Sequence, residues 1–272
     1  MFVTIFYEFV DVALVFANLF IAWQVELFKK YNVGHLLSLL ESNVSFWASL
    51  IHSVLIHQVY NPIKDELTFL FGGKKMRFGC CEFCILTGLQ YAGKEEISGG
   101  SNRLLDKYGN KGKLKRLELL EAFRQCSNVE DQVKLGVAYL VESLLFAKSP
   151  ITLIDPKILA IVDDVAAFNK VCWGKLSWEF LVPKLKESIF KKRTKFEGGY
   201  SLHGFYDVVS IYAMETIPEL QKVGVVRIRN EGFPRILNWN MVGKGGYATL
   251  AATVFKQVFI SYLYVILLFY SF

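Results

Sequence analysis

The segment ELTFLFGGKKMRF, Glu66 to Phe78, carries a hydrophobic period that fits a pair of strands better than a helix. Leu67, Phe69 and Phe71 alternate along one arm and Met76 and Phe78 along the other, and between them stands Gly72-Gly73. Two glycines take positive φ at little cost, so the pair predicts a tight hairpin. Directly after it CCEFCILTGLQ predicts a short helix stopped at Gly88, whose missing Cβ suits a left-handed cap.

The remaining periodicity is helical. Leu36 to Tyr60 reads as one amphipathic helix closed by Asn61-Pro62. Leu117 to Cys126 reads as a short helix, and Asn128 opens a longer, largely apolar one in which Glu130 and Asp131 sit at the positive end of the dipole and Lys148 near the negative end. Asp155-Pro156 supplies an N-cap followed by proline at the first helical position. The segment SWEFLVPKLKESIFKKR follows a Trp173-Gly174 turn, with Pro183 expected to kink or divide it. Gly204 to Ile217 predicts a helix ended by Pro218, and Pro234 to Trp239 a packed return segment. The fold class is therefore a mainly α-helical globular domain with a small β-hairpin near residues 67–78. Its expected organisation is an apolar and amphipathic segment over 1–62, a helical domain over 63–240, and a linker with a hydrophobic end over 241–272.

Of the 272 residues 53% are hydrophobic, with 23 Phe and 13 Tyr, and the excess gathers at both ends. Val12 to Val25 is uncharged but falls short of the ~20 residues a spanning helix needs, so it reads as a buried or interfacial helix. Glu8 and Asp11 precede the apolar run, which argues against a secretory signal. Gln257 to Phe272 carries no charge; as a helix it reaches ~24 Å against a ~30 Å hydrocarbon core, so a membrane anchor through 246–272 competes with an arbitrary gene end. A net charge of +6 favours polyanions only weakly.

No arrangement of residue types points to catalysis, a cofactor or a metal. Cys81 and Cys84 form a CxxC with Cys80 beside it, but zinc needs about four ligands and no second pair stands at ligand spacing. A thioredoxin-type site would place the motif at a strand-to-helix turn within an alternating βα pattern, so the cysteines read as buried small hydrophobes. With five cysteines, an odd count without dense spacing, a reducing compartment is expected. His52 and His57 lack the four-residue spacing of a shared helical face. The glycine pairs at Gly72, Gly99, Gly198 and Gly243 do not have phosphate-loop spacing. Asp163-Asp164 and Glu179 are the best acidic candidates, but adjacent helical residues point apart, so only one of the two aspartates can face inward. Glu215 is expected to bond a neighbouring backbone. Lys191, Lys192, Arg193 and Lys195 form a basic cluster compatible with nuclear import or phosphate contact, and Lys111, Lys113, Lys115 and Arg116 a second one; neither is interleaved with aromatic residues.

Taken in order, ELTFLFGGKKMRFGCCEFCILTGL, RLLDKY, VKLGVAYLVESLLF, IDPKILAIVDDVAAFNKVCWGKLSWEFLVPKLK, YSLHGFYDVVSIYAMETIPEL and PRILNW resemble a plant domain of unknown function. That domain precedes a SUMO-protease-like (ubiquitin-like-protein-specific) cysteine peptidase in proteins of Mutator-like transposable elements. The hairpin-then-helix start, the WG turn and the ETIP ending also resemble the plant mobile domain more distantly. The resemblance covers about Asp65 to Trp239 and implies a non-catalytic, nuclear interaction or scaffold module with a protein partner, without its peptidase. A membrane-tethered protein and a residual peptidase fragment are the alternatives. Cys80, Cys81, Cys172 and Tyr206 depart from the residues common in that family.

Overall fold

Glycine at both turn positions lets the hairpin close in two residues. In the computed structural model, which describes Phe16 and residues 22–40, 47–193, 202–243 and 246–255 (side chains of 40, 188–193 and 247 excepted), Gly72 and Gly73 have φ of 52° and 78°. Positive φ at both positions matches the right-handed twist of the flanking strands. Strands β2 (Glu66–Phe71) and β3 (Lys74–Gly79) pair antiparallel, with Phe71 opposite Lys74 and Glu66 opposite Gly79. Leu67, Phe69, Phe71 and Phe78 are buried, so the predicted alternation is the burial pattern.

Upstream of the hairpin, the single amphipathic helix expected over 36–60 is replaced by separate elements. Helix α1 (Ala22–Phe28) precedes α2 (Leu36–Leu40), and α3 (Ala48–Ile56) ends before β1 (Gln58–Val59). Gln58 lies opposite Phe69 and Val59 opposite Thr68, while the Leu70 N–H donates to the His57 carbonyl at 3.0 Å. These long-range ladder bonds draw residues 58–59 out of the helical pattern and make the hairpin a three-stranded sheet.

Helix α4 (Cys80–Thr87) follows β3 without a loop; the Glu82 carboxylate accepts from the Gly79 N–H at 2.9 Å, and Gly88 at φ 73° returns its N–H to the Cys84 carbonyl at 2.8 Å. Next come α5 (Arg103–Tyr108), α6 (Arg116–Gln125) and α7 (Val129–Leu140), the last capped by Asn128, which accepts from the Asp131 N–H at 2.9 Å. Residues Val141–Leu145 continue α7 as a π turn. Asp155 caps α8 (Pro156–Ile161) and Asp164 caps α9 (Val165–Phe168), as their side-chain bonds to the Lys157 and Ala167 N–H groups show. Helix α10 runs from Trp173 to Arg193 without dividing at Pro183. Leu181, Val182 and Leu185 are buried around the proline, so tertiary packing offsets the missing backbone donor.

Helix α11 (Val208–Thr216) and the short α12 (Glu219–Lys222) lead into a two-stranded sheet of β4 (Val226–Ile228) and β5 (Trp239–Met241), joined through a 3-10 turn at Arg235–Asn238. Helix α13 (Tyr247–Thr253) folds back so that the Phe255 ring stacks on His57 with centroids 4.9 Å apart. One hydrophobic core runs from Phe28, Leu36 and Trp47 through to Leu250 and Phe255. Its centre is aromatic: Phe78 meets Trp178 edge-on at 5.0 Å and stacks on Tyr212 at 4.4 Å, and Phe83 lies 5.6 Å from Trp178. Among the described residues no helix is long and apolar enough to cross a membrane; Lys256 to Phe272 and most of Val12 to Val25 lie outside them.

Two glycines separate backbone strain from crowding. At Gly100 φ is +76° and an added Cβ would meet the Ala160 carbonyl oxygen at 1.6 Å, whereas at Gly112 φ is +70° and the space is open. Gly112→Ala is expected to cost about 1 kcal/mol from the left-handed backbone, and Gly100→Ala more than ~3 kcal/mol, because the backbone itself must move. Urea unfolding of the two variants measures the difference.

Candidate interaction surface

The side chains singled out as chemical candidates are mostly engaged in holding the fold. Asp163 and Asp164 diverge as expected, the first entering an ion network and the second capping α9. Glu179 is exposed. Glu215 bonds side chains instead of the expected backbone, accepting from Arg235 Nε at 3.0 Å, Arg235 Nη2 at 2.8 Å and Trp239 Nε1 at 2.7 Å. The ring nitrogens of His35, His57 and His203 bond the carbonyls of Thr87, Ser53 and Ala147 at 2.8, 2.5 and 3.1 Å. Lys191, Lys192 and Arg193 form the end of α10; their side chains, and all of Lys195, lie outside the described residues. Among the described residues no three His, Cys, Asp or Glu side chains converge as metal ligands would.

The network itself was not visible in the spacing of its members. Arg103 on α5 reaches Asp131 on α7 at 2.7 Å and Asp163 after α8 at 2.6 Å. Lys107 adds 2.7 Å to Asp131, and Lys134 adds 3.0 Å to Asp163. Tyr108 and Ser101 donate their hydroxyls to the same two carboxylates, at 3.1 and 2.8 Å. The Asp131 carboxylate is buried and the Asp163 carboxylate largely so, while the cations stay partly in water, so three elements are tied together around two negative charges. Burial alone would raise both aspartates, but hydrogen bonds from Lys107 and Arg103 to Asp131, and from Arg103 and Lys134 to Asp163, outweigh it and leave both below the ordinary carboxylate range.

On another face, the chain before and within the first turn of α6 lies antiparallel to residues 150–154. The Arg116 N–H donates to Thr152 O at 3.1 Å, Leu117 N–H to Pro150 O at 3.0 Å and Ile154 N–H to Leu114 O at 3.0 Å, with Lys115 opposite Leu153. Leu117, in the first turn of α6, and Ile151, in the turn before Leu153, lie just beyond that bridge. Leu114, Arg116 and Ile154 point inward, while Leu117, Ile151 and Leu153 are 57%, 74% and 47% exposed. Exposed Lys113 and Lys115 flank this apolar strip. The alternation of Ile151, Thr152 and Leu153 was its only sequence signal, and a strand pairing across more than thirty intervening residues cannot be read from so short a segment.

Residues 55–184 match the family model described as Domain of unknown function (DUF1985). The DUF1985 span therefore runs from the end of α3 to the middle of α10 and contains the hairpin, the cysteines, the ion network and the strip. No curated protein and no solved structure matches the chain.

The titrations give a signed prediction. Asp131 and Asp163, with lowered folded values, contribute stability that is complete above their unfolded value of about 3.9 and is lost as pH falls through the folded one. Asp207 has the opposite sign: burial pushes it up to about 7, against its own backbone N–H, so stability declines as pH rises from about 4 towards that value. Urea unfolding at a series of pH values should show Asp131→Asn flattening the acid limb and Asp207→Asn flattening the limb towards neutrality.

Proposed function

We propose that the chain is a non-catalytic protein-interaction module of a plant transposon-derived, nuclear protein, separated from its SUMO-protease-like domain. The family setting rests on the ordered resemblance of its segments; the interaction role rests on the strip at Leu117, Ile151 and Leu153. Apolar side chains exposed on neighbouring segments whose backbones are hydrogen-bonded to each other are held on ordered backbone, which favours docking. Lys113 and Lys115 beside them select for negative charge. The partner is an acidic polypeptide segment that carries spaced apolar side chains.

Selection of a displayed random-peptide library on the folded chain tests this reading. Recovered peptides are expected to combine Leu, Ile, Val or Phe with Asp or Glu, and their recovery to fall about tenfold on the Leu117→Asp/Ile151→Asp double variant. Both positions are exposed, so the variant keeps its fold, which circular dichroism checks. Failure to enrich any sequence, or enrichment indifferent to the two substitutions, would count against the proposal.

A further inference from the structure

The ribbon of β4 and β5 is pinned to its surroundings through the connection between the strands, yet it leaves Arg227, Arg229 and Phe233 facing solvent. Pro234 is buried against the end of α4, where a Cβ added to Gly88 would stand 2.7 Å from the proline Cβ. Arg235 and Trp239 both donate to the Glu215 carboxylate on α11. Asn238 is buried and joins its side chain to the backbone of Gly232 in both directions, accepting from the N–H at 3.2 Å and donating to the carbonyl at 2.8 Å. Its own carbonyl accepts from the Arg229 N–H at 2.6 Å, one rung beyond the Ile228–Trp239 pair. The Asn238 side chain thus acts as a further rung, and it draws Gly232, with Phe233 next to it, back towards Arg229.

On this ordered frame the Phe233 ring is 70% exposed. Strand alternation puts Arg227 and Arg229 on one side of β4, away from buried Val226, and both are exposed. Among the described residues neither guanidinium has an ion-pair partner. The acids nearest in sequence are directed elsewhere: Glu219 pairs with Lys222 at 3.5 Å, and the charge of Glu231 acts on Arg235.

We propose that this ribbon binds single-stranded nucleic acid, with Phe233 stacked on a base and Arg227 and Arg229 on backbone phosphates. A guanidinium presents a planar fork of donors that matches phosphate oxygens in pairs. An exposed ring offers any base a flat apolar face. A single strand brings a negative charge and an unpaired planar base in every repeat. In a duplex the bases are stacked on one another and closed to the ring, and an acidic polypeptide carries the charge without a planar group beside each one. Because Asn238 and Glu215 already order the connection, its backbone needs no further ordering on binding. The face uses no residue of the strip at Leu117, Ile151 and Leu153, and it lies outside residues 55–184.

The test is fluorescence anisotropy of a fluorescein-labelled oligothymidine of about twelve nucleotides, titrated with the full chain over a series of salt concentrations. Binding is expected to weaken as salt rises. Arg227→Gln/Arg229→Gln should weaken it about tenfold and reduce the slope of log affinity against log salt by about 1.4, since each phosphate contact on a single strand contributes about 0.7. Phe233→Ala should weaken it about tenfold with the slope unchanged, and Phe233→Trp should restore it. The three positions are exposed, so the variants keep the fold, which circular dichroism checks. No anisotropy change at low salt would overturn the proposal, as would an affinity and slope indifferent to the substitutions, which would put the binding elsewhere on the chain. A duplex of the same length binding as tightly, or polyglutamate competing as well as unlabelled oligothymidine, would also overturn it, the latter assigning the ribbon to an acidic protein.

Discussion

The long helix α10 can lie against α4 only because residue 174 has no side chain. A Cβ there would stand 2.5 Å from the Cys84 sulfur, 2.9 Å from the Gln90 carbonyl oxygen and 3.1 Å from that of Leu89. With that contact made, Trp178 one turn later reaches Phe78 and Phe83, and its indole N–H donates to the Asp65 carbonyl at 2.9 Å. Trp173, on the other side of the glycine, donates to the Phe168 carbonyl at 3.1 Å and packs on that ring at 4.6 Å. One close backbone approach thus sets the sheet, α4, α9 and α10 relative to each other. The aromatic centre then fills the space between them, and dispersion over such large rings adds to the burial of their area.

Features written in neighbouring residues were legible in the sequence. Gly72-Gly73 demanded a two-residue turn, Gly88 a left-handed cap, and Asn128 and Asp155 side-chain caps, because each acts over four residues or fewer. Features made by distant pairing were not. Gln58 and Val59 look helical until β2 is beside them. Asp163 was an acidic candidate in the sequence, but its partners Arg103 and Asp131 were not foreseen, because they join it only where α5, α7 and the turn after α8 meet. Reading CxxC as buried hydrophobes held for Cys84 but not for Cys81, which is exposed.

The part matched as DUF1985 does not close its own core. Tyr212 and Phe205 from beyond residue 184 cover Phe78 and Phe83, Phe255 covers His57 and Phe71, and Phe28 from α1 joins the same core. The physical unit is therefore larger than the matched span on both sides. Within it, many ionisable groups near the core are already bonded to one another or to backbone, and the outward strip at Leu117, Ile151 and Leu153 is one surface among the described residues whose apolar side chains the fold does not cover.

The most direct test of this account is the unfolding free energy of Gly174→Ala. In an exposed helix that substitution stabilises by about 1 kcal/mol, because alanine is the better helix former. Here the added methyl collides with a buried sulfur and two carbonyl oxygens, so a loss of more than ~2 kcal/mol in urea unfolding is expected, with the near-ultraviolet signal of Trp173 and Trp178 altered. A variant as stable as the parent, or more stable, would contradict the claim that the whole arrangement turns on this contact.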